Sequence, residues 1–212
     1  MENVELKPVS VFHYFAEVCK VPRPSKKEEK IIAYLLDFAQ KHHLEVKTDE
    51  ACNVLIKKPA TPGKENLKTV ILQSHIDMVC EKNSDVEHDF LNDPIQTYID
   101  GEWMKAKGTT LGADNGIGIA TQLAILAADD IEHGPIECLF TVDEETGLTG
   151  AFALKEGFMD GDILINLDSE DEGELFIGCA GGANTTAEFA YQPIEVPQDY
   201  FFFNVAIKGL TG

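Results

Sequence analysis

The sequence predicts an α/β fold, a sheet covered by helices on both faces. Three observations carry this. Apolar runs of strand length alternate with amphipathic segments along most of the chain, and Gly, Pro and Asp clusters separate them. At 212 residues, 44% of them hydrophobic, the chain is long enough to bury a real core.

The elements follow in order. Pro8 to Lys20 reads as a short helix, ended by "VPRPS". Ser25 and Glu28 then have capping-box spacing ahead of Ile31, Ile32, Leu35, Leu36 and Phe38, which predicts an amphipathic helix. "NVLIKK" and "TVILQSH" read as strands, and "DFLNDPIQTYIDGEWMKAKG" as a hairpin turning at Asp100 and Gly101. A helix is expected over 116–128, a strand at "IECLFTV", a helix at "GAFALKEG" and a strand at "DILINLD". Further strands are expected at "GELFIGCA" and "ANTTAEFAY". From about Gly182 the pattern is strands only, and the sequence stops at "FFFNVAIKGLTG", straight after an apolar run.

Charge narrows the function. The 37 acidic residues against 17 basic ones give a formal charge of −20, which disfavours nucleic acid and anionic membrane as partners. "MENVELKPVSVFHYF" has no secretory-signal pattern and no run has the length of a membrane span, so a cytoplasmic protein is expected. Cys19, Cys52, Cys80, Cys138 and Cys179 are odd in number and show no C-x-x-C pairing, so reduced, mostly buried thiols are expected.

The chemistry is concentrated where apolar runs stop. His75 and Asp77 close "VILQSHID", Asp114 lies in "LGADNGIGIA", Glu144 and Glu145 follow Val142, and Asp168 follows "ILIN". Each is read as the end of a separate strand, and in an open α/β sheet the carboxyl ends of the strands form the ligand crevice. Zinc takes imidazole nitrogen and carboxylate oxygen at about 2.0–2.2 Å. Two such ions about 3.5–4 Å apart can share one carboxylate, and Asp114 is the natural bridge. One member of Glu144-Glu145 can ligate while the other carries protons. Gly112, Gly116 and Gly118 let the backbone come close. The segment lacks G-x-G-x-x-G, the following G-K-[ST] and the EF-hand ladder, and the chain lacks a G-x-S-x-G elbow.

"SHIDMVCEKN", "GTTLGADNGIGIA", "TVDEETGLTGA" and "NLDSEDEGELFIGCAGG" closely resemble, in the same order, blocks of the aminoacylhistidine (Xaa-His) dipeptidases. These are dinuclear zinc peptidases related to carnosinases and glutamate carboxypeptidases. The resemblance implies a mostly parallel mixed sheet, with residues 1–181 as part of the catalytic domain and 182–212 as the start of an α+β lid or dimerisation domain. It implies two zinc ions, with cobalt or manganese as alternatives, a small dipeptide substrate, and a homodimer in the full-length protein. His75 and Asp168 would hold one zinc, Glu145 would help hold the other, and Asp114 would bridge them. Glu144 would be the general base and acid, and Asp77 would fix the imidazole of His75. His13, His42, His43, His88 and His133 match no motif position.

Members of that family are longer. "GLTG" resembles the lead-in to a Gly-His-Ser element whose histidine aids the oxyanion, and a last histidine ligand is also expected beyond it. The sequence is therefore expected to be a fragment of a longer enzyme. Two other readings stand beside it: a metal-binding module without chemistry, and an amidohydrolase acting on N-acyl amino acids.

Overall fold

The structure, a computed structural model, describes residues 6–169, 171, 173–179, 181–183, 185–193, 195 and 198–206. It divides into two compact units, Met1–Gly173 and Glu174–Gly212. The first begins with helices α1 (Val9–Val18) and α2 (Glu29–Lys41). Strands β1 (Glu45–Thr48), β2 (Val54–Lys58) and β3 (Val70–His75) follow, then the hairpin β4 (Thr97–Asp100) and β5 (Trp103–Ala106). Helix α3 (Ala113–Ala127), strand β6 (Ile136–Thr141), the short helices α4 (Glu144–Gly147) and α5 (Thr149–Ala153), and strand β7 (Ile163–Asn166) complete it.

The main sheet has the order β1-β2-β6-β3-β7. It is mixed: β1 with β2 and β2 with β6 run antiparallel, whereas β6 with β3 and β3 with β7 run parallel. The parallel trio decides where chemistry can sit, because β3, β6 and β7 all point their carboxyl ends the same way. The register Val70↔Ile136 through His75↔Thr141 brings the ends of β3 and β6 level.

Alternation along the strands sorts side chains to two faces. Val54, Ile56, Leu72, Cys138 and Phe140 enter one core with Ile31, Leu35 and Phe38 of α2 and Ile119, Leu123 and Leu126 of α3. Their neighbours Leu55, Ile71 and Leu139 face the other way, onto Leu154, Phe158 and Met159 from the chain after α5. Each fully buried Leu, Ile or Phe contributes roughly 1.5–3 kcal/mol relative to exposure. Helices therefore cover one face thickly, and a short helix with its following turn covers the other.

Several local expectations change. The capping box does not form: the Ser25 hydroxyl donates to Asp77 Oδ2 at 2.7 Å, and the Glu28 carboxylate accepts from the amides of Lys26 and Asp143. Both side chains are drawn to tertiary partners. The described residues of "GELFIGCA" and "ANTTAEFAY" form no strand, since a strand exists only through a partner ladder and none is paired with them. The tip of "YFFFNVAIKG" beyond residue 206 lies outside the described residues. All five cysteines are free, but only Cys19 and Cys138 are buried; Cys52 and Cys179 are exposed. Among the described residues, no helix is long and apolar enough to cross a membrane.

Candidate metal centre

The sequence places its polar residues where the apolar runs end, and the sheet brings those ends together. His75 is the last residue of β3, and Glu144 and Glu145 open α4 just past β6. Asp168 follows β7. Asp114 differs from expectation: it does not end a strand but lies in the non-helical first turn of α3 (φ −83°, ψ 113°). Gly112 just before it has φ +70°, a conformation that favours glycine, and a Cβ there would come within 2.7 Å of Arg23 Nη2.

His75 is the hub. It is only 1% exposed. Its Nδ1 lies 3.2 Å from Asp77 Oδ1, while Nε2 lies 2.9 Å from Asp114 Oδ1 and 3.8 Å from Asp168 Oδ1. If Nδ1 carries the proton and donates it to Asp77, the Nε2 lone pair faces the carboxylates, as a metal-binding imidazole requires.

Asp77, fully buried, serves two elements at once. Oδ1 accepts the amide of Glu144 at 3.0 Å as well as facing His75, and Oδ2 accepts the amide of Glu145 at 3.2 Å and the Ser25 hydroxyl. One carboxylate thus orients the imidazole and caps the first turn of α4, satisfying amides that a helix start leaves without partners.

Two donor groups share His75. Ligand atoms of His75, Asp114 and Asp168 all lie within 4.8 Å of one another, and so do those of His75, Glu144 and Glu145. The expected set is therefore gathered in one place. Among the described residues no group of three donors contains both Asp114 and Glu145; Glu145 clusters with Glu144 instead. A third group, Glu28, Asp77 and Asp143, lies behind these and is buried. Its members are engaged: Glu28 accepts the Asp143 amide, and Asp143 accepts the hydroxyls of Thr146 and Thr149.

The electrostatics describe a pocket short of positive charge. Burial would lower the pKa of His75, but hydrogen bonds to Asp77 and Asp114 and the charge of Asp168 outweigh it and lift the imidazole to about 9. Burial would raise Asp77, yet His75, the two α4 amides and Ser25 hold it at about 2. Burial raises Glu144, with the charges of Asp168, Asp77 and Asp114 adding to it. Burial and the Asp114 charge raise Glu145, and burial followed by Asp114 raises Asp168. One imidazole nitrogen and several carboxylate oxygens, with no thiol among them, form a donor set that suits zinc and harder divalent cations. A cation there would offset the carboxylate charges that add to burial in raising these pKa values.

Sequence reasoning missed the supporting role of three residues: Arg23 lies in the loop read only as a break, and Ser25 and Glu28 were read as a local capping box rather than as partners of Asp77 and the Asp143 amide. Two of the histidines set aside are occupied elsewhere: His42 packs on Phe38 with ring centroids 4.3 Å apart, and His133 Nδ1 lies 2.7 Å from the Gly134 carbonyl.

Known proteins resemble this chain throughout. A sequence profile of peptidase family M20/M25/M40 matches residues 71–203. The cytosol non-specific dipeptidase of Escherichia coli is 50% identical over 211 residues, covering 100% of this chain and 44% of the relative. The crystal structure of the aminoacylhistidine dipeptidase from Vibrio alginolyticus superposes with a TM-score of 0.79 at 57% identity, over 82% of this chain and 35% of that one. Aminopeptidase PepT from Bacillus cereus matches with a TM-score of 0.65 at 27% identity, over 76% of this chain and 43% of that one. The chain thus spans less than half the length of each of these three relatives.

Proposed function

The chain belongs to peptidase family M20/M25/M40, and from that premise we propose that it carries most of the active site of a zinc-dependent dipeptidase acting on small dipeptides of the Xaa-His type. The observation that carries this reading is that His75 is shared by two donor groups, one with Asp114 and Asp168, the other with Glu144 and Glu145. A divalent cation bound there would polarise the scissile carbonyl and acidify water.

The chain's own side chains supply the rest. His75 and Asp168 are assigned to one cation, Glu145 to a second, and Asp114 to both. Asp77 holds His75 through Nδ1 and, through the amides, aims the first turn of α4. Glu144 takes a proton from water and returns it to the leaving amine, as a general acid-base group does. We assign residues 1–181 to the catalytic domain and 182–212 to the beginning of a lid or dimerisation domain, in a cytoplasmic protein that dimerises at full length. The name of the E. coli relative supports the cytoplasmic assignment.

Zinc titration by calorimetry tests the metal sites: one strong equivalent is expected, with His75→Ala removing it. In a full-length protein, Glu144→Gln should keep zinc and lose about 10²–10⁴-fold in turnover, the usual contribution of a general acid-base group. Glu145→Gln should instead weaken zinc binding. If Glu144→Gln loses metal and Glu145→Gln keeps it, the two roles are reversed. A panel of Xaa-His dipeptides, other dipeptides and N-acetyl amino acids separates a histidine-selective dipeptidase from a non-specific one and from an amidohydrolase.

A further inference from the structure

The donor groups rest on a strap that the proposed reaction does not use. Residues 23–28 touch three of the segments that carry donors: the end of β3, the loop before Asp114 and the turn before Glu144. Arg23 is buried, 3% exposed. Its Nη1 donates to the carbonyls of Ile76 and Asp77 at 3.1 and 2.7 Å, and its Nη2 donates to the carbonyl of Gly112. The Arg23 carbonyl accepts the Met78 amide at 3.1 Å, Pro24 bridges to Met78, and Ser25 and Glu28 reach Asp77 and the Asp143 amide. Cβ atoms placed on Gly112 or Gly116 would lie 2.7 Å from Arg23 Nη2, so two of the glycines beside Asp114 make room for this side chain.

We propose that Arg23 is a positioning residue: it clamps the end of β3, which carries His75 and Asp77, to the loop that carries Asp114, and so sets the spacing of the donors. The inference rests on the metal-site reading above. Arginine suits the role because a planar guanidinium directs donors two ways at once, whereas a lysine ammonium is a single point that cannot span both segments. It does not touch substrate, since it is buried behind the donors. Its hydrogen bonds go to main-chain carbonyls, and the charges of Asp77 and Asp114 help keep the buried cation charged.

Charge and geometry predict opposite signs, which makes the proposal decidable. A positive charge beside a cation site repels the cation, so deleting it would by itself tighten zinc binding. Losing the clamp would weaken it. The experiment is zinc calorimetry on the 212-residue chain and on its Arg23→Lys and Arg23→Met variants, with a thermal melt of each. Arg23→Lys keeps the charge and loses the span; about 10–100-fold weaker zinc binding is expected, the usual effect of removing a supporting partner of a ligand. Arg23→Met should also bind more weakly despite losing a repelling charge. A purely structural residue would lower the melting temperature and leave affinity in the folded protein unchanged. Equal affinity in the parent chain and Arg23→Lys overturns the proposal, as does tighter binding by Arg23→Met. If Arg23→Met does not fold, Arg23→Lys decides. No zinc binding by the parent chain overturns the metal-site reading, and this inference with it.

Discussion

The imidazole of His75 and the carboxylate of Asp77 form one contact with two pH signatures. In metal-free protein His75 is raised from 6.5 to about 9, so its contribution to stability is fully present below about pH 6.5 and is lost as pH rises through about 9. Asp77 is lowered from 3.8 to about 2, so its contribution is present above about pH 3.8 and is lost as pH falls through about 2. The two shifts share the His75–Asp77 contact and so do not simply add; Asp114 and Asp168 also raise His75, and the α4 amides and Ser25 also lower Asp77. Chelator-treated protein should therefore show a falling urea midpoint between about pH 6.5 and about pH 9, and Asp77→Asn should flatten that slope; an unchanged slope in Asp77→Asn would remove Asp77 as its source. At this scale the positions of His75, Glu144, Glu145 and Asp168 at or just past strand ends were legible, because polar residues that end an apolar run have to face a crevice or solvent; Asp114, read as a strand end, lies instead in the first turn of α3. The sequence was silent on Arg23 and showed Ser25 and Glu28 only as a local capping box, because the partners that bring them to the site lie from 52 to 115 residues away and no local spacing encodes them.

Elements were legible where burial imposes an apolar run. Leu55 with Ile56, Ile71 with Leu72 and Cys138 with Leu139 stand in unbroken apolar runs, and only the structure shows alternate residues going to opposite faces. Strand β1 was not foreseen, since "EVKT" at the sheet edge is exposed at both ends and carries no such pattern. Helix α4 was not foreseen either: at four residues it cannot stand by itself, and the Asp77 carboxylate supplies its cap from just beyond the end of β3. Next to it, α5 is pressed so closely against the end of β6 that a Cβ on Gly150 would sit 2.5 Å from the Val142 carbonyl oxygen and 2.7 Å from its nitrogen. Backbone cannot yield as a side-chain tip does. Gly150→Ala should therefore cost about 1–3 kcal/mol in urea unfolding, the usual penalty of overpacking, and cost more than Gly157→Ala, where a Cβ meets nothing within 4 Å but φ is +81°.

Over the whole molecule, a net charge of −20 and a set of bare aromatic rings pull in opposite directions. Phe189, Tyr191, Phe201, Phe202 and Phe203 are each at least 75% exposed, beyond what isolated surface residues account for. Light scattering on the 212-residue chain should show dimers or larger species, more so in high salt as repulsion is screened, and Phe201→Ser with Phe203→Ser should reduce them. A monodisperse monomer at all salt concentrations would contradict this. The sheet order has a consequence of a different kind, for timing. His75 meets Asp168 only because β3 pairs with β7, more than ninety residues along the chain, and it meets Glu144 only because β3 also pairs with β6. Parallel pairings over such separations close slowly, after local helices and hairpins have formed. During refolding, cation capture should then lag behind the recovery of helical signal, so that the ion acts as a seal on a finished structure rather than as a seed for it.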